Sequence, residues 1–183
     1  MRDPRSRERD AWKGLAAGVI GGLVASWTMN QFQALVSALS GKDKPKGQSA
    51  DQGDDATVKA ASAVSEGIFD HTLTKWEKGV AGPAVHYGFG ASMGGIYGVA
   101  AELAPSVRAG AGVPFGAVFW LLADEAAVPA LGLSKAPTQY PLSTHSASLA
   151  SHVVYGVTTE AVRMGVRRLL GKGERRAEIR VRQ

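Results

Sequence analysis

Three of the four histidines, His86, His145 and His152, interrupt stretches that otherwise carry no charged side chain. Asp124 and Glu125 follow directly on another such stretch, and Asn30 and Gln31 lie within a fourth. Glu102 and Glu160 stand just beyond the ends of two of these stretches. Imidazole titrates near neutrality, and a neighbouring carboxylate favours its charged form. Such residues in an apolar setting are competent to handle protons or ions. Two other chemistries use the same groups. His and carboxylate can pair with each other and only fix helix register, or they can ligate a metal or haem. The ligand reading is short of a tight pair: His145 and His152 are seven residues apart, two turns along one helix face.

The commoner catalytic signatures are absent. The chain has no cysteine, so thiol catalysis, zinc–thiolate sites and disulfides are excluded. There is no Gly-x-Ser-x-Gly, no phosphate-binding Gly-Lys-Ser/Thr loop and no dinucleotide fingerprint. Ser143 and Thr144 beside His145 lack a third partner and read better as helix N-caps. The expectation is a protein that is not an enzyme and holds no cofactor.

The elements that carry these residues follow from charge patterning. Residues 14–41, 79–101, 109–123 and 136–159 contain no Lys, Arg, Asp or Glu. A mean hydropathy of -0.05 conceals this segregation. A bilayer core about 30 Å thick needs about 20 residues of helix. Three stretches meet that length outright. The third in order does so only as 109–131, with Asp124 and Glu125 included. The expected fold is all-α: a polytopic membrane protein of four transmembrane helices, plus an outer amphipathic helix over 56–78. A soluble bundle of Ala-rich helices is the alternative, and it fits segments without charge on any face poorly. The first apolar run is too long for a cleavable signal and reads as an uncleaved span.

Two features suggest a duplicated hairpin. Tyr97-Gly98-Val99-Ala100-Ala101-Glu102 returns as Tyr155-Gly156-Val157-Thr158-Thr159-Glu160. Gly18, Gly22 and Asn30 sit at the same offset as Gly112, Gly116 and Asp124. Gly14, Gly18 and Gly22, and again Gly90, Gly94 and Gly98, repeat every four residues, a ridge on which another helix can lie close. These ridges motivate a homo-oligomer or, alternatively, a non-conducting accessory subunit docked on a larger membrane complex.

Charge sets the orientation. Residues 1–13 carry five Arg or Lys, and 163–183 carry eight against Glu174 and Glu178. The loop between the first two spans is mixed. The positive-inside rule then puts both termini, 1–13 and the basic tail 169–183, in the cytoplasm, with 14–168 as the membrane domain and 41–79 as an outer segment. The tail is expected to be disordered beyond Leu170. Its charge suits anionic lipid rather than nucleic acid, which would want aromatics interleaved on a folded module. Depth counting gathers His86, His145, Asp124, Glu125 and Asn30 in one outer layer, His152 near mid-depth, and Glu102 and Glu160 at the inner ends. Arg163 is a ready partner for Glu160, whereas Glu102 has only Arg108 nearby.

Several of these runs resemble the YagU-like family of uncharacterised bacterial inner-membrane proteins. They are Asp55-Ala56-Thr57-Val58-Lys59-Ala60 through Gly79-Val80-Ala81-Gly82-Pro83-Ala84-Val85-His86-Tyr87, Asp124-Glu125 with Pro129, and His152 with Tyr155-Gly156 and Glu160. The likeness spans about residues 14–168. It implies a polytopic protein of the bacterial inner membrane linked to acid tolerance, and it assigns no site residue. The functional expectation is a small oligomeric channel, transporter or proton-responsive protein.

Overall fold

The computed structural model describes residues 4–39 and 54–181, and every regular element among them is helical. The elements are α1 (Pro4–Leu39), α2 (Ala56–Phe69), α3 (Lys75–Leu103), α4 (Val113–Trp120), α5 (Val128–Ala130) and α6 (Leu142–Val181). A π-helical segment, Leu121–Ala127, joins α4 to α5 without a break, and short 3-10 turns lie at Pro105–Arg108 and Pro137–Gln139. The linker expected over 41–55 lies outside the described residues except at 54–55.

Several expected boundaries move, each for a local reason. The amphipathic helix does not run to residue 78. Asp70 takes a left-handed conformation (φ 49°), which short polar side chains tolerate, and ends α2 with its N–H on the Ser65 carbonyl. Thr74 then opens α3 with a capping box: its Oγ1 accepts from Glu77 N, and its own N–H donates to Glu77 Oε2 at 2.7 Å. That backbone hydrogen bond, with lesser help from the Thr74 hydroxyl and His71, holds the Glu77 carboxyl below its ordinary value. The cap is therefore fully formed above that ordinary value and weakens as pH falls through the lowered one.

The third helix starts at Val113 rather than Ala109. Gly110, Ala111 and Gly112 all have positive φ, so the chain reverses there. Pro114 falls in the first turn, where no N–H is needed, and so starts the helix instead of bending it. Ser143 and Thr144 lie inside the first turn of α6, not at its cap. Where the tail was expected to be disordered beyond Leu170, α6 continues as one helix to Val181.

In the bundle α1 packs on both α3 and α6, and α6 packs on α4. Glycine makes the first contact possible. A Cβ on Gly14 would come within 2.5 Å of the Gly98 carbonyl oxygen, and Cβ atoms on Gly18 and Gly22 would fall on the carbonyls of Gly94 and Gly90. The same close approach recurs where Gly116 meets His152 and Gly156 meets Gly112. Both ridges predicted from sequence are thus occupied within the chain. Phe115 and Phe119 of α4 complete the core, stacking on Tyr97 and tilting against Phe89 of α3, with Tyr155 of α6 beside them.

Many large apolar side chains lie on the outer surface of the bundle. Apart from the aromatic cluster and Met29, the buried apolar positions are alanines such as Ala17, Ala25 and Ala101, while Trp27, Leu35, Ile96, Leu103, Leu121 and Leu122 are each more than half exposed. Only one described stretch, Val113–Ala130, is both long and apolar enough to cross a membrane, with a mean hydropathy of 1.3. The other three expected spans are less apolar, because Gly, Ser and Thr dilute their hydropathy without adding charge.

Candidate functional site

The helices leave a cavity of about 1330 Å³ at the end where α2 and the loop before α6 cover the bundle. Asn30, His86, Asp124, Glu125, His145 and His152 all line it. The π-helical segment is the element that places the two acids. Widened turns of this kind are rare and occur preferentially at functional sites. Here consecutive carboxylates both reach α6. Glu125 Oε1 is 2.6 Å from His145 Nδ1, and Asp124 Oδ2 accepts from Ser148 Oγ and lies 3.8 Å from His152 Nδ1. His145, Ser148 and His152 share one face of α6 at three- and four-residue steps.

The two histidines differ in character. His145 faces acceptors on both ring nitrogens, Glu125 at 2.6 Å and the Pro137 carbonyl at 3.1 Å. Only the imidazolium can donate to both at once. His152 Nδ1 donates to the Ser148 carbonyl at 3.0 Å, and its ring is edge-on to Phe119.

His86 shares the cavity but is not joined to either acid. Its Nε2 is buried with no hydrogen-bond partner, and its ring is edge-on to Tyr87. Asn30 Nδ2 donates to Tyr87 Oη at 3.4 Å. The outer layer expected from depth counting therefore divides. Glu125 and His145 form a pair, Asp124 joins Ser148 and His152, and His86 and Asn30 stand apart. Ser148 was missed, although its place between the two histidines on one face marks it. Ser26, whose hydroxyl is buried and unpartnered beside Gly90, was missed as well.

Glu102 and Glu160 lie at the far end of the bundle. Arg163 donates to Glu160 through Nε at 2.7 Å and Nη2 at 2.9 Å, the pairing expected from their spacing. The expectation that Glu102 lacks a cationic partner other than Arg108 is wrong. Arg163 Nη1 reaches it at 3.0 Å and Arg167 Nε at 2.7 Å, and Arg167 also donates to Asp10 at 3.2 Å. Sixty-one and sixty-five residues separate Glu102 from these partners, a distance at which spacing carries no signal. Arg108 instead sits exposed, near the Pro105 carbonyl. Both carboxylates belong to a structural ion network that ties α1, α3 and α6 together.

Among the described residues no group of three His, Cys, Asp or Glu side chains is arranged to hold a metal ion. Residues 63–161 match the family model described as protein of unknown function (DUF1440). The match covers more than half of the chain, which therefore belongs to that family. No curated protein and no solved structure matches the chain.

Proposed function

We propose that this DUF1440 member is an integral protein of the bacterial inner membrane, close to the YagU-like proteins, in which a cavity on the outer side responds to protons. In this reading it is a small oligomeric channel or transporter that contributes to acid tolerance. Four spans run as two related hairpins, with both termini in the cytoplasm. The apolar outer surface supports the membrane setting, since small residues inside and large apolar ones outside suit helices packed in lipid. The hairpin relationship rests on the sequence echo. Gly98 lies on Gly14 and Gly18 as Gly156 lies on Gly112 and Gly116, one turn out of step with the sequence echo.

The observation that carries the functional reading is the pair of acids on the π-helical segment, each facing a histidine of α6 inside one cavity. Intramembrane ionisable groups are costly and tend to mark ion or proton pathways. Asp54, Asp55, Lys59 and Lys135 add charge at the α2 and loop side of the same cavity. Acid protonates carboxylates and imidazoles alike, so the cluster moves toward net positive charge as the outside acidifies. The accessory-subunit reading rested on glycine ridges free to dock a partner. Those glycines face one another within the chain, and a homo-oligomer would instead have to form through the large apolar side chains of the outer surface.

Reconstituted vesicles test the reading. On lowering the external pH from 7 to 5, wild-type protein should acidify the lumen faster than protein-free lipid does. Asp124→Asn and Glu125→Gln should each cut that rate about tenfold, within the range for loss of a positioned proton-transfer group. Equal rates in all three would leave the acids with a structural role. No flux, together with constant co-purification of another membrane complex, would favour the accessory subunit.

A further inference from the structure

Asp124 is the one cavity acid whose surroundings leave its charge uncompensated. Glu125 has the His145 imidazolium, Asp54 has Lys78 at 2.6 Å, and Asp55 caps α2. Among the described residues no Lys or Arg lies within ion-pair distance of Asp124. Its neighbours are the Ser148 hydroxyl and His152, whose Nδ1 proton is already given to a carbonyl. The Asp124 side chain remains 38% exposed, while that of His152 is 6% exposed. The lining of the same cavity includes the aromatic residues Phe89, Phe119 and Tyr155. Elsewhere on the same cavity two buried polar atoms lack any partner: the hydroxyl of Ser26, a residue only 1% exposed, and His86 Nε2. Buried polar groups are nearly always satisfied, by protein, water or ligand, so this pair leaves room at the cavity for a hydrogen-bonding group.

We propose that the cavity binds a protonated amine with an apolar body and a second hydrogen-bonding group, with Asp124 as the counter-charge and Ser26 and His86 holding the other end. The ammonium donates to the free Asp124 oxygen, a charge-assisted hydrogen bond. The apolar body lies along Phe119 and Phe89. At about 1330 Å³ the cavity exceeds the range of about 300 to 1,000 Å³ for ordinary small-ligand sites, so such a molecule fits with room to spare. Ser26 accepts or donates as the second group requires. The proposal rests on this cavity being the functional site, but not on proton conduction.

Calorimetric titration of the purified protein in mild detergent at pH 7, with empty micelles as blank, tests it. Tyramine serves as the probe. It should bind saturably and at least about tenfold more tightly than 4-ethylphenol, which lacks the amine, or 3-(4-hydroxyphenyl)propionate, which reverses the charge. Asp124→Asn should lose that preference for the cation, and Ser26→Ala should weaken tyramine about threefold to tenfold. Equal affinity for tyramine and 4-ethylphenol on wild-type protein would overturn the proposal without reference to any variant. An Asp124→Asn protein with native helix content and unchanged tyramine affinity would overturn it too. Binding needs no transport, so binding without flux would sink only the proton reading, and flux without binding only the amine site.

Discussion

Arg163→Gln should destabilise the protein by about 3–5 kcal/mol, the range for removing one partner of a buried ion pair. Arg163 is 2% exposed and makes three hydrogen bonds, two to Glu160 and one to Glu102. Without it, Glu160, itself 2% exposed, becomes a buried carboxylate with no cation, and Arg167 alone must serve Glu102 and Asp10. The cost comes from the stranded charge more than from the lost bonds. The double variant Arg163→Met with Glu160→Gln should therefore recover most of the loss, because it removes both members of the buried pair. Thermal unfolding followed by circular dichroism in detergent measures both. A single variant within about 1 kcal/mol of wild type would mean that solvent reaches the network and screens it.

Gly18→Ala should be as damaging, although it adds a single methyl. That methyl would fall on the carbonyl of Gly94, a backbone atom that cannot swing aside, so α1 and α3 would have to separate. Overpacking costs about 1–3 kcal/mol where side chains can adjust, and backbone contact belongs at or above the top of that range. Gly94→Ala meets the Gly18 carbonyl and should behave alike. Gly88→Ala is the control on the same helix. Nothing lies within 4 Å of its Cβ, so it should gain about 0.5–1 kcal/mol from helix propensity. Melting temperatures in the order Gly88→Ala, wild type, Gly18→Ala are expected. A Gly18→Ala protein as stable as wild type would contradict the close α1–α3 contact.

Charge-free stretches located the middles of the four long helical segments but not their ends, since α1 and α6 run on through the charged residues that flank those stretches. The four-residue glycine spacing marked two faces for close approach, which demands a missing side chain, and it was read as favouring a homo-oligomer, whereas the two ridges meet each other within the chain. The spacing did not say which molecule supplies the facing helix. The break at Asp70 was hidden because the apolar period continues through it, although Thr74-Lys75-Trp76-Glu77 carried a readable capping signal. The π-helical segment leaves no local mark. It lets Asp124 and Glu125 reach α6 together, and that depends on tertiary packing. His86 was grouped with the acids because depth counting fixes height along a helix and not the side it faces. Glu102 was read as partnerless for a related reason, its cations being on α6 and distant in sequence.

The central claim is a membrane-embedded chain whose cavity opens to the outside, and accessibility labelling tests it most directly. The chain contains no cysteine, so a single introduced thiol reports one place only. Lys135 lies exposed on the loop that roofs the cavity, and Arg108 lies exposed on the turn between α3 and α4. With a membrane-impermeant maleimide applied to intact spheroplasts, Lys135→Cys should label at once and Arg108→Cys only after lysis. Labelling of both from the outside, or of Arg108→Cys alone, would contradict the account.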